Sequence, residues 1–169
     1  MSEAKTGATF ITHEFDESIA VQQAIVDGAA ALSTSHPRRE SKQLIATTLK
    51  EDRQFLATLK RLGKAHDATG EAEGVALALK NLMDETAKSA GEAPSEAYEA
   101  HAVLINLKRK QQDSAAAMLK IARETDDTEL RDAAIEFGKA TKASAQALAD
   151  ELATFAVQIA TREPVGAHG

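Results

Sequence analysis

Residues 94–163 read PSEAYEAHAVLINLKRKQQDSAAAMLKIARETDDTELRDAAIEFGKATKASAQALADELATFAVQIATRE. On both sides of the break Glu124–Asp127, apolar side chains recur every three or four residues, the spacing of a helix that buries one face. Asp126 and Glu129 have the spacing of a capping box, which begins many helices. The stretch therefore predicts two long helices joined as a hairpin. Its apolar stripes are Leu104, Leu107, Met118 and Ile121 in the first arm, and Leu130, Ala134, Phe137, Leu148, Leu152, Phe155 and Ile159 in the second.

The middle of both stripes is polar. Gln111 and Ser114 interrupt the first arm, and Thr141 and Ser144 interrupt the second. Buried amide and hydroxyl groups need hydrogen-bond partners, so this layer should be hydrated or internally paired. One interpretation is a polar layer that fixes how the helices align. The other is a small ligand-binding cavity or an altered ligand site, and any cofactor-binding site is predicted at these four residues, with the ligand unknown.

The rest of the chain carries three further helical patterns, over residues 14–32, 37–67 and 71–90. In the third of these, Val75, Leu79, Leu82 and Met83 are predicted to face inward. Residues 1–13 are predicted to be a flexible arm, 14–163 a single domain and 164–169 a flexible tail. Five helices with short connections predict an all-α protein, an antiparallel four-helix bundle with an additional N-terminal helix.

Composition limits the classes of function. A net charge of -6 and a pI near 5.4 predict no nucleic-acid partner, because such proteins usually carry a basic face. The run Lys108-Arg109-Lys110 spreads around a helix, and we expect it on a solvated outer face. The chain has no cysteine, which excludes disulfides and thiolate chemistry and fits a reducing compartment. No apolar run is long enough to span a bilayer, so we expect a cytoplasmic protein without a membrane partner.

A metal site is the main catalytic alternative. Carboxylate-bridged di-metal sites in helical bundles use Glu-x-x-His pairs, and the sequence contains none. Glu96 and Glu99 share a helix face, although His101 points elsewhere. An atypical set of Glu51, Glu96, Glu99 and His101, binding iron or manganese, is therefore kept as a hypothesis. The favoured prediction has no cofactor.

Three segments resemble stress-associated members of the ferritin-like superfamily: residues 51–62 (EDRQFLATLKRL), the helix start 96–101 (EAYEAH) and the turn 126–135 (DDTELRDAAI). The resemblance covers residues 38–160 and implies a ferritin-like bundle that forms oligomers. Members of that superfamily use inward Glu and His for di-iron chemistry. Where they would place these ligands on the last two helices, this chain has Gln111, Ser114, Thr141 and Ser144, which lack the charge that a di-iron site needs. The fold is thus expected without the metal.

The favoured prediction of function is a non-catalytic ferritin-like bundle that acts as a binding or assembly module through self-association, with a link to stress that the resemblance suggests. The protein is then a homo-oligomer, with any other protein partner unknown. One alternative is a metal-binding oxidative enzyme with the carboxylate set above. The other is a surface-coating helical protein similar to the phasins of polymer granules, suggested by alanine-rich helices that contain few aromatic residues.

Overall fold

The computed structural model describes residues 4–162, and every regular element among them is a helix. The prediction of an all-α protein is therefore confirmed for the described residues. The helices are α1 (Ala8–Ser35), α2 (Arg39–Lys64), α3 (Gly74–Ser89), α4 (Pro94–Glu124) and α5 (Thr128–Ala160).

The hairpin break lies where its sequence predicts it. The helix α4 ends at Glu124 and α5 begins at Thr128. The side chain of Asp127 accepts a hydrogen bond of 2.9 Å from the backbone N–H of Leu130, which satisfies one of the unpaired donors at the helix start. Asp127, one residue after the Asp126 of the predicted capping box, therefore caps α5 and stabilises its start.

The helix α1 begins at Ala8, where the apolar pattern predicted a start at residue 14. Residues 8–13, expected in a flexible arm, thus belong to the first helix. Ile11 packs against the core, and the Thr12 hydroxyl donates to the His66 carbonyl at 2.7 Å. These contacts extend the helix beyond its main apolar stripe. The tail predicted at 164–169 lies outside the described residues.

Among the four long helices α1, α2, α4 and α5, those that contact one another run antiparallel, because residues early in one helix meet residues late in its neighbour. The short helix α3 runs parallel to α1, since Ile19 lies beside Gly70 and Gly28 lies beside Met83. Two contacts for each pair of helices establish the direction. They are Thr12–His66 and Gln22–Asp52 for α1 and α2, Ser41–Glu151 and Arg61–Glu129 for α2 and α5, His101–Leu148 and Lys108–Ser144 for α4 and α5, and Ser18–Gln111 and His36–His101 for α1 and α4.

The short helix α3 packs on α1 and α4 alone, whereas α1 contacts α2, α3 and α4. The predicted N-terminal position of the additional helix is therefore not confirmed. Met83 anchors α3, and its side chain is fully buried against Gly28. A Cβ at residue 28 would lie 2.7 Å from the Met83 Cγ, so the absence of a side chain there allows the close approach.

The inward face predicted for α3 is only partly correct. Met83 is buried and Leu79 is partly buried, but Val75 is 64% exposed and Leu82 is 43% exposed. The buried side of α3 is centred on Ala76 and Met83, because the helix rests on the seam between two neighbours and presents a narrow face to them. Half of its apolar stripe is left uncovered.

Candidate functional site

Four helices contribute buried polar side chains at one level of the protein, and we call this group the polar centre. Each helix contributes two residues spaced three or four apart, a spacing that places both on the same helix face. The polar centre consists of Ser18 and Gln22 of α1, Thr48 and Asp52 of α2, Lys108 and Gln111 of α4, and Thr141 and Ser144 of α5.

An ion pair lies within the polar centre. The Lys108 Nζ is 2.7 Å from Asp52 Oδ1 and 2.8 Å from Oδ2, and it also donates to the Ser144 hydroxyl at 3.2 Å. Lys108 is 0% exposed and Asp52 is 5% exposed. The prediction of a solvated outer face for the basic run was therefore wrong at Lys108. The reason is that Lys108 follows Leu104 by one turn on the buried face of α4, while Arg109 points to solvent.

Burial raises the pKa of Asp52, because desolvation disfavours its charged form, while the Lys108 ammonium and its hydrogen bonds act in the opposite direction. Two contacts under 3 Å to one ammonium are typical of an ionised pair. Either side chain alone would leave a buried charge without compensation. The charges of Asp52 and Lys108 therefore compensate each other in the interior.

The amide side chains complete the network. Gln111 Nε2 donates to the Ser18 carbonyl at 2.9 Å and to Gln22 Oε1 at 3.0 Å, and its Oε1 accepts from the Ser18 hydroxyl at 3.3 Å. Gln22 Nε2 donates in turn to the Asp52 carbonyl at 3.0 Å, and the Ser144 hydroxyl donates to the Thr141 carbonyl at 3.1 Å. Across residues 4–162, no buried side-chain nitrogen or oxygen lacks a hydrogen-bond partner. The polar centre is internally paired.

The four polar residues named from the sequence are all buried. Gln111 and Ser144 make central contacts, Thr141 accepts through its carbonyl, and Ser114 lies at the edge, where its hydroxyl accepts from Lys110 Nζ at 3.2 Å. Sequence reasoning missed the partners from the other two helices. Polar residues at helical spacing, Ser18 with Gln22 and Thr48 with Asp52, were the available signal.

The residues of the hypothetical metal site do not belong to the polar centre. Glu51, Glu96 and Glu99 are exposed. His101 is buried, and its Nε2 lies 3.0 Å from the Leu148 carbonyl oxygen. Among the described residues these four do not converge on one position that could hold an ion.

A different trio lies at the start of α1, where potential ligand atoms of His13, Glu14 and Glu17 are within 4.8 Å of one another. Two lysine ammonium groups already lie beside this trio. The Lys5 Nζ is 3.1 Å from His13 Nδ1, and the Lys110 Nζ is 3.7 Å from Glu17 Oε2. These ammonium groups would repel a metal ion, so the trio is an unfavourable metal site.

A second buried cluster joins the end of α1 to α4 and α5. The backbone N–H of Arg38 donates to His36 Nδ1 at 3.1 Å, and His36 Nε2 lies 3.4 Å from His101 Nδ1. The Leu148 carbonyl can only accept, so His101 Nε2 carries a proton. His36 Nδ1 accepts, so in the neutral ring its proton is on Nε2 and is donated to His101. Both imidazoles are therefore neutral. Each hydrogen bond in this series is donated towards the Leu148 carbonyl, from Arg38 to His36, from His36 to His101 and from His101 to Leu148.

Burial lowers the pKa of both rings. The pKa of His36 is about 4, because desolvation and the adjacent His101 disfavour its charged form. Desolvation also lowers the pKa of His101. Glu151 lies near the rings, but its Oε1 accepts from Arg38 Nε at 2.6 Å and from the Ser41 hydroxyl at 2.8 Å. At pH 7 His36 and His101, which we call the histidine cluster, are therefore uncharged and form a structural contact.

Exposed large apolar side chains are concentrated on one part of the described surface. Val75, Leu77 and Leu82 lie on α3, and Phe10 borders the same hollow as Gly74, the first residue of α3. Ile135 and Val157 are single exposed residues on α5. Val75 and Leu82 share one side of α3, whereas Leu77 lies on another side, so α3 carries three of the exposed large apolar residues but not on a single face.

No protein-family model matches the sequence, and a comparison with curated proteins finds no match. None of the helices in residues 4–162 combines the length and the hydropathy that a membrane span requires.

Proposed function

We propose that the protein is a non-catalytic helical module that works by self-association. In this proposal α1, α2, α4 and α5 form an antiparallel four-helix bundle of the ferritin-like type, and α3 is the additional helix on its outside. The antiparallel contacts between the four long helices support this arrangement. The ferritin-like relationship and a link to stress rest on the sequence resemblance alone.

The observation that carries the proposal is the internal pairing of the polar centre. Its one carboxylate, Asp52, is bound by Lys108 of the same chain, and the Gln111 amide donates to the Gln22 amide. The Ser18 hydroxyl donates to Gln111, and the Ser144 hydroxyl donates to the Thr141 carbonyl. An ammonium at 2.7 Å occupies the position next to the carboxylate that a metal or substrate would need. Function is therefore assigned to the surface, where α3 presents apolar side chains to solvent.

Sedimentation velocity of the full chain from micromolar to millimolar concentration tests self-association. We expect the sedimentation coefficient to rise with concentration towards that of a dimer or larger oligomer. A monomer over the whole range would contradict the proposal.

Elemental analysis of protein purified without chelator tests the non-catalytic part. The proposal expects no stoichiometric metal, because Glu51, Glu96, Glu99 and His101 do not converge. Near-stoichiometric iron or manganese would instead favour the oxidative enzyme. A cytoplasmic location also stays a prediction, and cell fractionation would test it.

A further inference from the structure

We infer that copies of the chain associate head to tail through charge: a basic face on α2 of one copy binds an acidic corner between α3 and α4 of a second copy. The inference rests on the proposed function and names the two surfaces that meet. It is carried by the arrangement of charge along α2 and by the separation of the two surfaces within one copy.

The outer side of α2 carries a row of cations. A helix turns by about 100° per residue, so residues 39, 42, 46, 50, 53, 57, 60 and 64 lie within about 80° of one another around its axis. Six of these eight residues are basic, the other two are Ala46 and Ala57, and none is acidic. We call the six the basic face: Arg39, Lys42, Lys50, Arg53, Lys60 and Lys64.

The cations of the basic face are not neutralised by carboxylates of the described chain. Lys42 is half-buried and the other five are exposed. Within residues 4–162 none of the six forms an ion pair, and Lys60 donates to the neutral amide oxygen of Gln23 at 3.1 Å. Arg61, beside the face, differs because Glu129 binds it at 2.6 Å. An anionic partner would relieve the repulsion between these like charges.

A group of exposed carboxylates lies where α3 meets α4. Glu96 and Glu99 are three residues apart and share one side of α4. The Ser89 hydroxyl at the end of α3 donates to Glu96 at 3.4 Å, Glu85 lies one turn before Ser89, and Glu92 is in the connection. We call Glu85, Glu92, Glu96 and Glu99 the acidic corner. All four are exposed, and within residues 4–162 none forms an ion pair.

The two surfaces lie on opposite sides of the molecule. The helix α2 packs on α1 and α5, whereas α3 packs on α1 and α4, and α2 is a direct neighbour of neither α3 nor α4. The basic face and the acidic corner can therefore pair between molecules and not within one. Because each copy offers both surfaces, the contact is heterologous and continues to a third copy unless a ring closes. The net charge of the chain does not reveal the basic face, since it adds both surfaces together.

Charges beside the basic face favour a small acidic partner over a wide polyanion. Exposed Asp27 of α1 and Glu136 of α5 lie on the two helices that flank α2. They would repel a nucleic-acid duplex or an anionic membrane that extended across them. The acidic corner has four carboxylates, with exposed Lys88 beside them, and it needs to contact α2 alone. The second copy therefore supplies the complementary charge.

Salt is the first test, because contacts between exposed charges are weak and screened. Raising the ionic strength from about 0.01 M to about 1 M shortens the screening length from about 30 Å to about 3 Å. Sedimentation velocity of the full chain should show species larger than a monomer at low salt and a monomer at high salt. Association that does not change with salt would overturn the inference and leave the proposed function standing.

Charge reversal tests both surfaces. The face variant is Lys50→Glu/Arg53→Glu/Lys60→Glu, and the corner variant is Glu85→Lys/Glu92→Lys/Glu99→Lys. At low salt each variant alone should stay monomeric, because it no longer carries complementary surfaces. A mixture of the two should associate, because one protein then has two acidic surfaces and the other has two basic ones. A mixture that stays monomeric would overturn the inference, and so would single variants that associate as the wild type does.

A control variant separates the position of the charges from overall repulsion. Arg109→Glu/Lys120→Glu/Arg123→Glu changes the net charge as the face variant does, at exposed residues of α4 outside both surfaces. It should associate as the wild type does, and its loss of association would overturn the inference. Circular dichroism should show the same helicity in all the proteins, since most of the substituted residues are fully exposed.

The behaviour of the wild type distinguishes the two proposals. If it associates at low salt and the face variant associates equally, the basic face is the wrong surface and the proposed function stands. If it stays monomeric at low salt, both proposals are wrong. Binding of a DNA duplex by this monomer would then assign the basic face to another partner.

Discussion

The Lys108 ammonium lies within 2.8 Å of both carboxylate oxygens of Asp52, and this pair joins α4 to α2 through the interior of the protein. The backbones of these two helices are not direct neighbours, since each lies against α1 and α5. The ion pair therefore connects two helices that are not adjacent.

Loss of one member of this pair should be strongly destabilising. In Lys108→Met the Asp52 carboxylate stays buried without its counter-charge, and we expect the free energy of unfolding to fall by about 3–5 kcal/mol. Urea unfolding monitored by circular dichroism measures this. Arg109→Met is the control, because Arg109 is exposed on the next position of the same helix.

The double variant Asp52→Leu/Lys108→Met removes both charges and should be more stable than Lys108→Met alone, because no unpaired charge remains. A Lys108→Met variant as stable as Arg109→Met would show that the pair contributes little.

Acid should lower the free energy of unfolding, because protonation of His36 and His101 is disfavoured in the folded protein. The pKa of His36 is about 4 in the folded protein and 6.5 in the unfolded chain, so between these values the unfolded chain binds more protons. Stability is therefore lost as pH falls from 6.5 towards 4, by at most about 3 kcal/mol from this residue. The lowered pKa of His101 acts in the same direction.

Urea unfolding at several pH values between 7.5 and 4.5 measures this loss, with His36→Asn for comparison. The asparagine Oδ1 can accept from the Arg38 N–H but does not titrate. The difference between the two proteins reports the titration of His36 in the presence of its neighbours His101, Glu151 and Lys42. Parallel pH profiles would contradict the assignment.

Two helical glycines should respond in opposite ways to alanine. In Gly28→Ala the new Cβ would lie 2.7 Å from Met83 Cγ, and overpacking of this kind costs about 1–3 kcal/mol. In Gly138→Ala the nearest atom is the Ala115 Cβ at 3.4 Å, so the better helix propensity should dominate, by up to about 1 kcal/mol. Thermal unfolding of both variants checks the sign. Equal effects would mean that α3 does not depend on contact with Gly28.

The turn between α4 and α5 depends on its cap. Replacement of Asp127 by alanine removes the acceptor for the Leu130 N–H and should cost about 1 kcal/mol. Asp132→Ala is the control, since Asp132 only pairs with its exposed neighbour Arg131. The midpoint of urea unfolding distinguishes the two variants, and equal midpoints would argue against a capping role.

The hairpin and its polar layer could be predicted because both are local. The spacing of Thr141 and Ser144 places them on the buried face whatever lies opposite. Lys108 could not be assigned in this way, because lysine in a basic run is ordinarily solvated and its partner Asp52 is distant in sequence. Only the packing of four helices shows that the two meet.

The buried residues of α3 could also not be predicted completely from the sequence. Its periodicity predicts apolar residues at the positions of Val75, Leu79, Leu82 and Met83, but it does not say which neighbour covers them. The narrow seam between α1 and α4 covers Met83 and leaves Val75 and Leu82 in water. The sequence also did not show where the carboxylates of the metal hypothesis lie, and Glu51, Glu96 and Glu99 are exposed to solvent.

The one-way hydrogen bonds through His36 and His101 have a consequence for hydrogen exchange. Amides at the start of a helix usually exchange quickly, because they have no carbonyl partner within the helix. The Arg38 amide, just before α2, instead ends a buried path that reaches the Leu148 carbonyl on α5. Its proton should exchange as slowly as those of the core, and its exchange rate would report when this end of the protein opens.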